Sequence, residues 1–165
     1  MMILLLACNR QEPARTKEQI PDPEESLIKA NQHIVNAENE QIDDFIARYK
    51  WEMVKTETGL RYMIYDDVKS KNIEADDKVV LEYSVKLLNG DLVYSSDKDG
   101  LLEFTVGKGQ TITGLEEGIK FLSKGDKARL VIPSYLAHGL VGDQDKITYK
   151  ATLVYDIEVI EVIDL

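Results

Sequence analysis

Apolar residues recur at helical spacing through the segment from Asp22 to Lys55. They repeat every seven residues and form a wider stripe in the second half: Ile28, Val35, Ile42 and Tyr49, joined by Phe45, Ile46 and Met53. Asp22 suits an N-cap, Pro23 suits the first helical position, and Glu25 completes a capping box. The pattern predicts one long amphipathic helix over residues 23–55. Its stripe must pack on the domain that follows, contact a partner loosely, or join a second copy in a homodimer.

After Gly59 the apolar pattern changes to alternation, which is typical of strands. The stretch KVVLEYSVKLLNGDLVYSS holds two strands around Asn89-Gly90, a dipeptide that favours a tight hairpin turn. Further strands are predicted in LRYMIYDDV, LLEFTVG, DKARLVIP and KATLVYDIEVIEV, and one short helix from about Leu115 to Leu122. The pattern predicts an α+β domain over residues 56–165, with five or six mostly antiparallel strands and one helix on the inner face of the sheet.

The stretch VGKGQTITGLEEGIKFL, residues 106–122, has the order strand, glycine-rich loop, helix that many phosphate-binding loops share. A Walker loop, however, needs Lys and a hydroxyl residue at the start of the helix, and here the Lys stands between the first two glycines. A dinucleotide-binding fold needs alternating strands and helices, whereas this chain has one short helix among hairpins. A nucleotide is therefore not the expected ligand.

The chain is acidic, with 30 Asp and Glu against 20 Lys and Arg and a formal net charge of −10. A nucleic-acid partner is not expected, because contacts with a phosphate backbone need clustered Lys and Arg. The ordinary interpretation of this acidity is a solvated surface. The sequence shows no catalytic triad and no cluster of metal-ligating residues.

The single cysteine, Cys8, follows a short apolar run and Ala7, an order typical of a lipoprotein signal. The run is too short to span a bilayer, whereas several acyl chains on this cysteine would give a durable anchor. The sequence thus predicts a signal peptide over residues 1–7 and a lipidated cysteine with a flexible tether over residues 8–22. Against this, Leu6 is large and no basic residue precedes the run. A truncated signal with a mis-assigned start codon explains the second feature, and an incidental free cysteine is the alternative.

The stretch VGKGQTITGLEEGIKFLSKGDKARLVIP, followed by LAHG and ATLVYDIEVIEV, resembles the FKBP-type peptidyl-prolyl isomerases. The resemblance covers residues 58–165 and rests on the glycine-bounded loop, GLEEG at the short helix, GDKA before a strand and ATLVYD in the last strand. It implies a bent antiparallel sheet of five to six strands wrapped around one short helix, here preceded by the long N-terminal helix. It also implies isomerisation of proline-containing peptide segments without a cofactor.

With its predicted signal, tether and helix, the whole chain is similar to the gliding-motility-associated FKBP lipoproteins of Bacteroidetes-type bacteria. This resemblance implies a protein of the cell envelope that a lipid anchors to the inner or outer membrane, facing the periplasm. It also implies that the partners are proline-containing segments of envelope or secreted proteins, with a role in gliding motility.

Rotation about an X-Pro bond breaks no covalent bond, and its barrier of about 18–20 kcal/mol comes from amide resonance. A dry apolar pocket that favours the twisted amide is therefore sufficient for catalysis. The resemblance places four residues in the walls of this pocket: Tyr83, Phe104, Ile112 and Tyr155. Ile112 corresponds to the loop position whose backbone N–H holds a ligand carbonyl. All four are inward-facing positions, so an ordinary core role explains any one of them equally well.

Other positions of the pocket depart from the family pattern. Val93 and Tyr94 stand where the family usually has an aromatic residue and an Asp linked to catalysis, and Leu115 replaces a frequent Trp floor. His138 replaces a Tyr; its ring N–H can still donate a hydrogen bond, or it is a loop histidine without a role. The loop over residues 141–149 lacks the usual prolines. Three functions stay open: a slow isomerase, a catalytically weak chaperone or machine subunit that binds through the pocket or the N-terminal helix, and a scaffold.

Overall fold

The computed structural model of this chain describes residues 22–164. Cys8, the predicted signal peptide and the predicted tether up to residue 21 lie outside the described residues. The elements in chain order are α1 (Pro23–Tyr49), β1 (Val54–Lys55), β2 (Arg61–Asp66), β3 (Lys78–Leu87), β4 (Leu92–Ser95), α2 (Ser96–Asp99), β5 (Leu102–Thr105), α3 (Thr113–Ile119), β6 (Lys127–Ile132), a 3₁₀ turn (Ser134–Leu136) and β7 (Leu153–Ile163). This order confirms the predicted α+β class.

The strands form one antiparallel sheet in the order β1-β2-β6-β7-β3-β4. β5 also pairs with β3, so β4 and β5 occupy successive parts of the same edge of β3. The predicted hairpin at Asn89-Gly90 is present: Gly90 has φ of 94°, and the N–H of Leu87 donates to the carbonyl of Asp91 at 3.0 Å. The sheet exceeds the predicted five or six strands by the two-residue β1, and the single turn α2 was not predicted.

The sheet is buried on both faces where β6 and β7 pair. Successive side chains of a strand point to opposite faces, and on β6 this alternation places Leu130 in the main core with α3 but Val131 against α1. On β7 it likewise places Leu153 in the main core and Val154 against α1. The domain therefore has three layers, with α1 on one face of the sheet and α3 on the other.

α3 begins two residues before the predicted start, since the carbonyl of Ile112 accepts from the N–H groups of Leu115 and Glu116. It ends at Ile119, where an N–H bond from Leu122 to the Ile119 carbonyl at 3.1 Å closes a tighter turn. Gly118 faces β6, and a Cβ at this position would lie only 2.7 Å from Leu130 Cδ1. Glycine therefore permits the close approach of helix and sheet.

α1 begins as predicted, with the Asp22 side chain accepting from the N–H of Glu24 at 3.0 Å and Pro23 in the first position. It ends at Tyr49 rather than at residue 55. Lys50 adopts a left-handed conformation with φ of 55° and donates to the carbonyl of Ala47, which is a common way to end a helix. The residues that follow instead form β1 beside β2.

The second half of α1 is docked on its own domain by apolar and charged contacts. Ile42 and Phe45 pack against the outer face of the sheet. Beside them Arg61 is only 1% exposed. Its guanidinium donates to Asp43 Oδ1 at 2.6 Å and to Asn39 Oδ1 at 2.7 Å, both on α1. A buried cation needs such partners, so Arg61 fixes the position of the helix.

The first half of α1 lacks such contacts with the domain. Leu27 and Ile28 are 65% and 61% exposed, and Ile34 is also exposed. Packing on the chain's own domain thus accounts for the second half of the apolar stripe only. Within residues 22–164, none of the helices combines the length and apolar character needed to cross a bilayer.

Replacement of Ile42 by Ala should lower the free energy of unfolding by about 2–5 kcal/mol, because it leaves a cavity between α1 and the sheet. Ile42 is fully buried. Urea unfolding followed by circular dichroism measures the loss. The matched control is Ile28→Ala on the same helix, whose exposed side chain should matter by about 0.5 kcal/mol or less. Equal effects of the two substitutions would contradict the docking of α1.

Candidate functional site

A cavity of about 650 Å³ opens between the strands β3, β4, β5 and β7, the loop before α3 and the loop after the 3₁₀ turn. We call this last loop, residues 137–150, the flap. The cavity is lined by aromatic, aliphatic and a few polar residues: Tyr83, Val85, Tyr94, Leu102, Gly109, Gln110, Thr111, Ile112, Thr113, Ala137, His138, Asp143, Ile147 and Tyr155. Asp143 is its one carboxylate, and no Lys or Arg belongs to this lining.

Five of the eight predicted site residues line this one cavity: Tyr83, Tyr94, Ile112, His138 and Tyr155. The other three, Val93, Phe104 and Leu115, are buried in the main core and do not line it. On β5, Leu102 takes the place predicted for Phe104. Leu102 pairs with Leu81, which lies two residues before the cavity residue Tyr83 on β3. Phe104 pairs with Val79, farther from the cavity. Only the register of β3 and β5 distinguishes these two residues, which share a face of their strand.

Tyr155 forms much of the apolar wall and is 7% exposed. Burial raises the pKa of its hydroxyl well above the ordinary value, and the neighbouring hydroxyls of Tyr83 and Tyr94 raise it further. Among residues 22–164 this hydroxyl has no hydrogen-bond partner in the structure. It is therefore a neutral group that is free to meet a ligand.

Ile112 presents its backbone N–H at the cavity immediately before α3. This N–H donates to no group among the described residues, whereas the N–H of Gly109 in the same loop is occupied. Gly109 N–H donates to Glu116 Oε1 at 2.9 Å, and Thr105 N–H donates to Gln110 Oε1 at 2.8 Å. The Glu116 carboxylate, which occupies the Gly109 N–H, disfavours phosphate at this loop. The open N–H of Ile112 suits a carbonyl oxygen.

Asp143 is the residue that sequence reasoning missed. Its Oδ1 accepts from the N–H groups of Asp145 at 2.9 Å and Ile147 at 2.8 Å, and its Oδ2 accepts a short hydrogen bond from the Tyr94 hydroxyl. The pair joins β4 to the flap across the cavity. Asp143 lies 49 residues from Tyr94 in a loop without periodicity. The sequence marks it as a residue that favours turns, but nothing in the sequence indicates its contact with Tyr94.

Hydrogen bonding keeps Asp143 ionised inside the cavity. Burial alone would raise the pKa of this carboxyl, but the bonds from Tyr94 and from the N–H groups of Asp145 and Ile147 outweigh burial and bring the pKa below its ordinary value. The charge of nearby His138 acts in the same direction. Conversely, the bond to Asp143 raises the pKa of Tyr94 far above its ordinary value. The cavity thus holds a stable negative charge beside neutral tyrosines.

His138 lines the cavity from the flap and is half-buried. Its ring makes no hydrogen bond with any of residues 22–164, so a ring N–H is available to a ligand. Within the same described range, no group of three or more His, Cys, Asp or Glu side chains is arranged to hold a metal ion. The chemistry that the site offers is an apolar cavity, an open amide at Ile112 and one carboxylate.

Sequence comparison places most of this domain in one family. A family model described as FKBP-type peptidyl-prolyl cis-trans isomerase matches residues 69–160. FK506-binding protein 2 of Dictyostelium discoideum is 36% identical over 107 residues, which cover 64% of this chain and 79% of that protein. A probable FKBP-type peptidyl-prolyl cis-trans isomerase of Haemophilus influenzae is 36% identical over 132 residues, 78% of this chain and 54% of that one.

A solved structure extends the likeness to the fold. The crystal structure of FkpA from Escherichia coli matches with a TM-score of 0.67 and 30% identity, covering 85% of this chain and 66% of that one. A match over 85% of the chain is longer than the predicted domain alone, so it includes part of α1. The chain spans about half the length of the Haemophilus relative. With the family match covering more than half of its residues, this chain belongs to the FKBP-type peptidyl-prolyl cis-trans isomerase family.

Proposed function

We propose that this chain catalyses cis–trans isomerisation of X-Pro bonds in proteins of the cell envelope. The observation that carries the proposal is the ionised Asp143, which the flap brings into the cavity at Tyr94. Tyr94 stands where the family usually has an Asp, and the absence of that Asp is the strongest argument against turnover. The carboxylate of Asp143, which enters the cavity from the flap, takes the place of the missing Asp in this proposal.

The proposed binding mode uses the apolar wall and the open amide. Tyr83, Leu102 and Tyr155 offer carbon surface to a proline ring. The Ile112 N–H donates to the carbonyl oxygen of the proline residue itself. That carbonyl belongs to the next peptide bond, so the anchor leaves the X-Pro amide free to rotate.

In this proposal, the rate enhancement comes from the groups that surround the carbonyl oxygen of the X-Pro bond. Amide resonance places negative charge on this oxygen and gives the C–N bond its double-bond character. A carbonyl surrounded by carbon atoms and by the Asp143 carboxylate loses the stabilisation that water gives to this charge. Since resonance is lost in the twisted transition state, such surroundings raise the ground state more than the transition state and lower the barrier.

The proposed location rests on the sequence before α1. We assign residues 1–7 to a signal peptide, Cys8 to a lipid anchor, and the tether up to residue 22 to a spacer between the membrane and α1. Residues 56–165 then act as the isomerase domain on the periplasmic side, where secreted and envelope proteins fold. In its finer form, the proposal is that the clients belong to a gliding or secretion machine. Its support is the order of predicted signal, tether and helix before the domain.

A second candidate function is peptide binding without turnover, through the cavity or through α1. The observation that favours it is the exposed apolar face formed by Leu27, Ile28 and Ile34. Such a face buries its surface when it meets another helix. A homodimer through this half of α1 is the form that we propose.

The pKa of Asp143 should rise when Tyr94 is replaced by Phe, because the hydroxyl that bonds to the carboxylate is removed. Titration of the ¹³C carboxyl shift measures this pKa directly. Because folding lowers this pKa, the carboxylate stabilises the fold fully above the unfolded-state pKa. This contribution disappears as the pH falls through the folded-state pKa. The variant should therefore lose less stability in acid than the wild type.

The control for this titration is Tyr83→Phe, which removes a cavity hydroxyl that does not contact Asp143. It should leave the carboxyl titration unchanged. The same pKa of Asp143 in the wild type and in Tyr94→Phe would show that the Tyr94 hydroxyl does not bond to this carboxylate in solution.

The wild type should accelerate isomerisation of a short Xaa-Pro peptide in NMR exchange measurements, and Asp143→Ala should lower kcat/KM about tenfold or more. The basis is the loss of a charged, hydrogen-bonded group, typically about 1.5–3 kcal/mol. The matched control is Asp44→Ala, an exposed carboxylate on α1, which should change kcat/KM less than about twofold.

The peptide's effect on the Ile112 amide signal separates the remaining outcomes of this experiment. A silent wild type that still shifts this signal would replace the enzyme proposal with the binding function. A silent wild type with no shift would leave the domain as a scaffold.

Cells that produce the protein should incorporate labelled fatty acid into the wild type and none into Cys8→Ala. The reason is that the thiol is the acceptor of the diacylglyceryl group in the proposed anchor. Gel fluorography of the purified protein measures the label. An unlabelled wild type would remove the anchor from the proposal and leave Cys8 as an incidental thiol.

A further inference from the structure

Glu38, in the middle of α1, connects the helix to two distant points of the domain. Its Oε1 accepts from the Ser134 N–H at 2.7 Å and from Thr152 Oγ1 at 2.7 Å. Its Oε2 accepts from Ser134 Oγ at 2.9 Å. The partners lie 96 and 114 residues farther along the chain, so one carboxylate receives three donors from outside its own element.

Ser134 and Thr152 stand at the two ends of the flap. Ser134 begins the 3₁₀ turn that leads into the flap, and Thr152 directly precedes β7. Between them, residues 137–150 form neither helix nor strand. Glu38 therefore bonds at once to the start and the end of the segment that carries His138 and Asp143 into the cavity.

The three hydrogen bonds to Glu38 lie in a buried region, so their loss would leave buried donors without a partner. Ser134 and Thr152 are only 6% and 5% exposed, so their donors have little access to water if the carboxylate is removed. Hydrogen bonds to a charged acceptor are about twice as strong as neutral ones. The flap also has a bond of its own, from Lys150 N–H to the Gly139 carbonyl at 2.8 Å. Glu38 adds hydrogen bonds from α1 to both of these ends.

We infer that Glu38 is a positioning residue, through which α1 sets the geometry of the flap and hence of the cavity. Glu38 does not line the cavity. It acts through Ser134 and Thr152, which hold the flap so that Asp143 reaches Tyr94. Its effect on turnover rests on the proposed isomerase activity, whereas its effect on the flap is independent of that activity.

Substitutions of Glu38 can distinguish the effect of its hydrogen bonds from the effect of its charge. In Glu38→Gln the amide oxygen can still accept from the Ser134 N–H and Thr152 Oγ1, and the amide nitrogen can donate to the Ser134 hydroxyl. Glu38→Ala removes all three bonds. Thr152→Val removes one bond at the far end of the flap with little change of shape.

The experiment measures hydrogen exchange of the flap amides and kcat/KM for an Xaa-Pro peptide in the full chain. Glu38→Ala should speed exchange across residues 137–150 by about tenfold and lower kcat/KM by a similar factor. Glu38→Gln keeps the bonds but loses their charge, so it should lie between the wild type and Glu38→Ala. Thr152→Val, which loses one bond, should also lie between these limits. Thermal unfolding confirms that each variant is folded at the assay temperature.

The control is Asp43→Ala, which removes the ion pair of α1 with Arg61 but touches neither end of the flap. It should speed exchange in α1 while leaving the flap near the wild-type rate. Equal flap exchange in Glu38→Ala and Asp43→Ala would overturn the inference, since general docking of the helix would then explain the effect. Wild-type exchange in Glu38→Ala and Thr152→Val would overturn it as well. If the wild type proves inactive but Glu38→Ala still exchanges its flap amides faster, the positioning role of Glu38 is supported and only the enzyme proposal is refuted.

Discussion

Burial of β6 and β7 on both faces is the constraint on which the rest of this structure depends. A strand alternates its side chains between two faces, and here each face has its own helix. Leu130 and Leu153 lie in the core with α3, and Val131 and Val154 lie against α1. Because these strands are neighbours in the sheet, the two helices are held at a fixed position relative to each other by a single pair of strands.

The flap is the connection between these two strands, and this explains why it can serve the cavity and contact α1. It leaves β6 through Ser134 and enters β7 through Thr152, where Glu38 bonds to both ends. Its middle lies at the cavity, where Asp143 accepts a hydrogen bond from Tyr94. The N-terminal helix, which sequence patterns present as a separate appendage, thus reaches the site through the ends of one loop.

The cavity obtains its carboxylate from a segment distant in the chain. The family resemblance predicts an Asp at the position of Tyr94 on β4, and the carboxylate that lies beside Tyr94 is Asp143 of the flap. The hydroxyl of Tyr94 and two backbone N–H groups keep that carboxylate ionised despite its burial. Position in space, rather than position in the chain, decides whether the cavity contains a charge, since electrostatic interaction depends on distance and on the surrounding dielectric and not on sequence separation.

The sequence by itself determined what short-range physics controls. The cap at Asp22, the turn at Asn89-Gly90 and the alternation of β3 follow from local geometry, and the ordered motifs around Ile112 indicated the family. Tertiary structure decided what depends on contacts between distant segments: Leu102 rather than Phe104 at the cavity, and Asp143 beside Tyr94. It also decided the bonds of Glu38 to the flap. The hydrogen bonds of Asp143 and Glu38 join residues 49 to 114 positions apart, and no periodicity along a chain records which side chains meet when its strands pair.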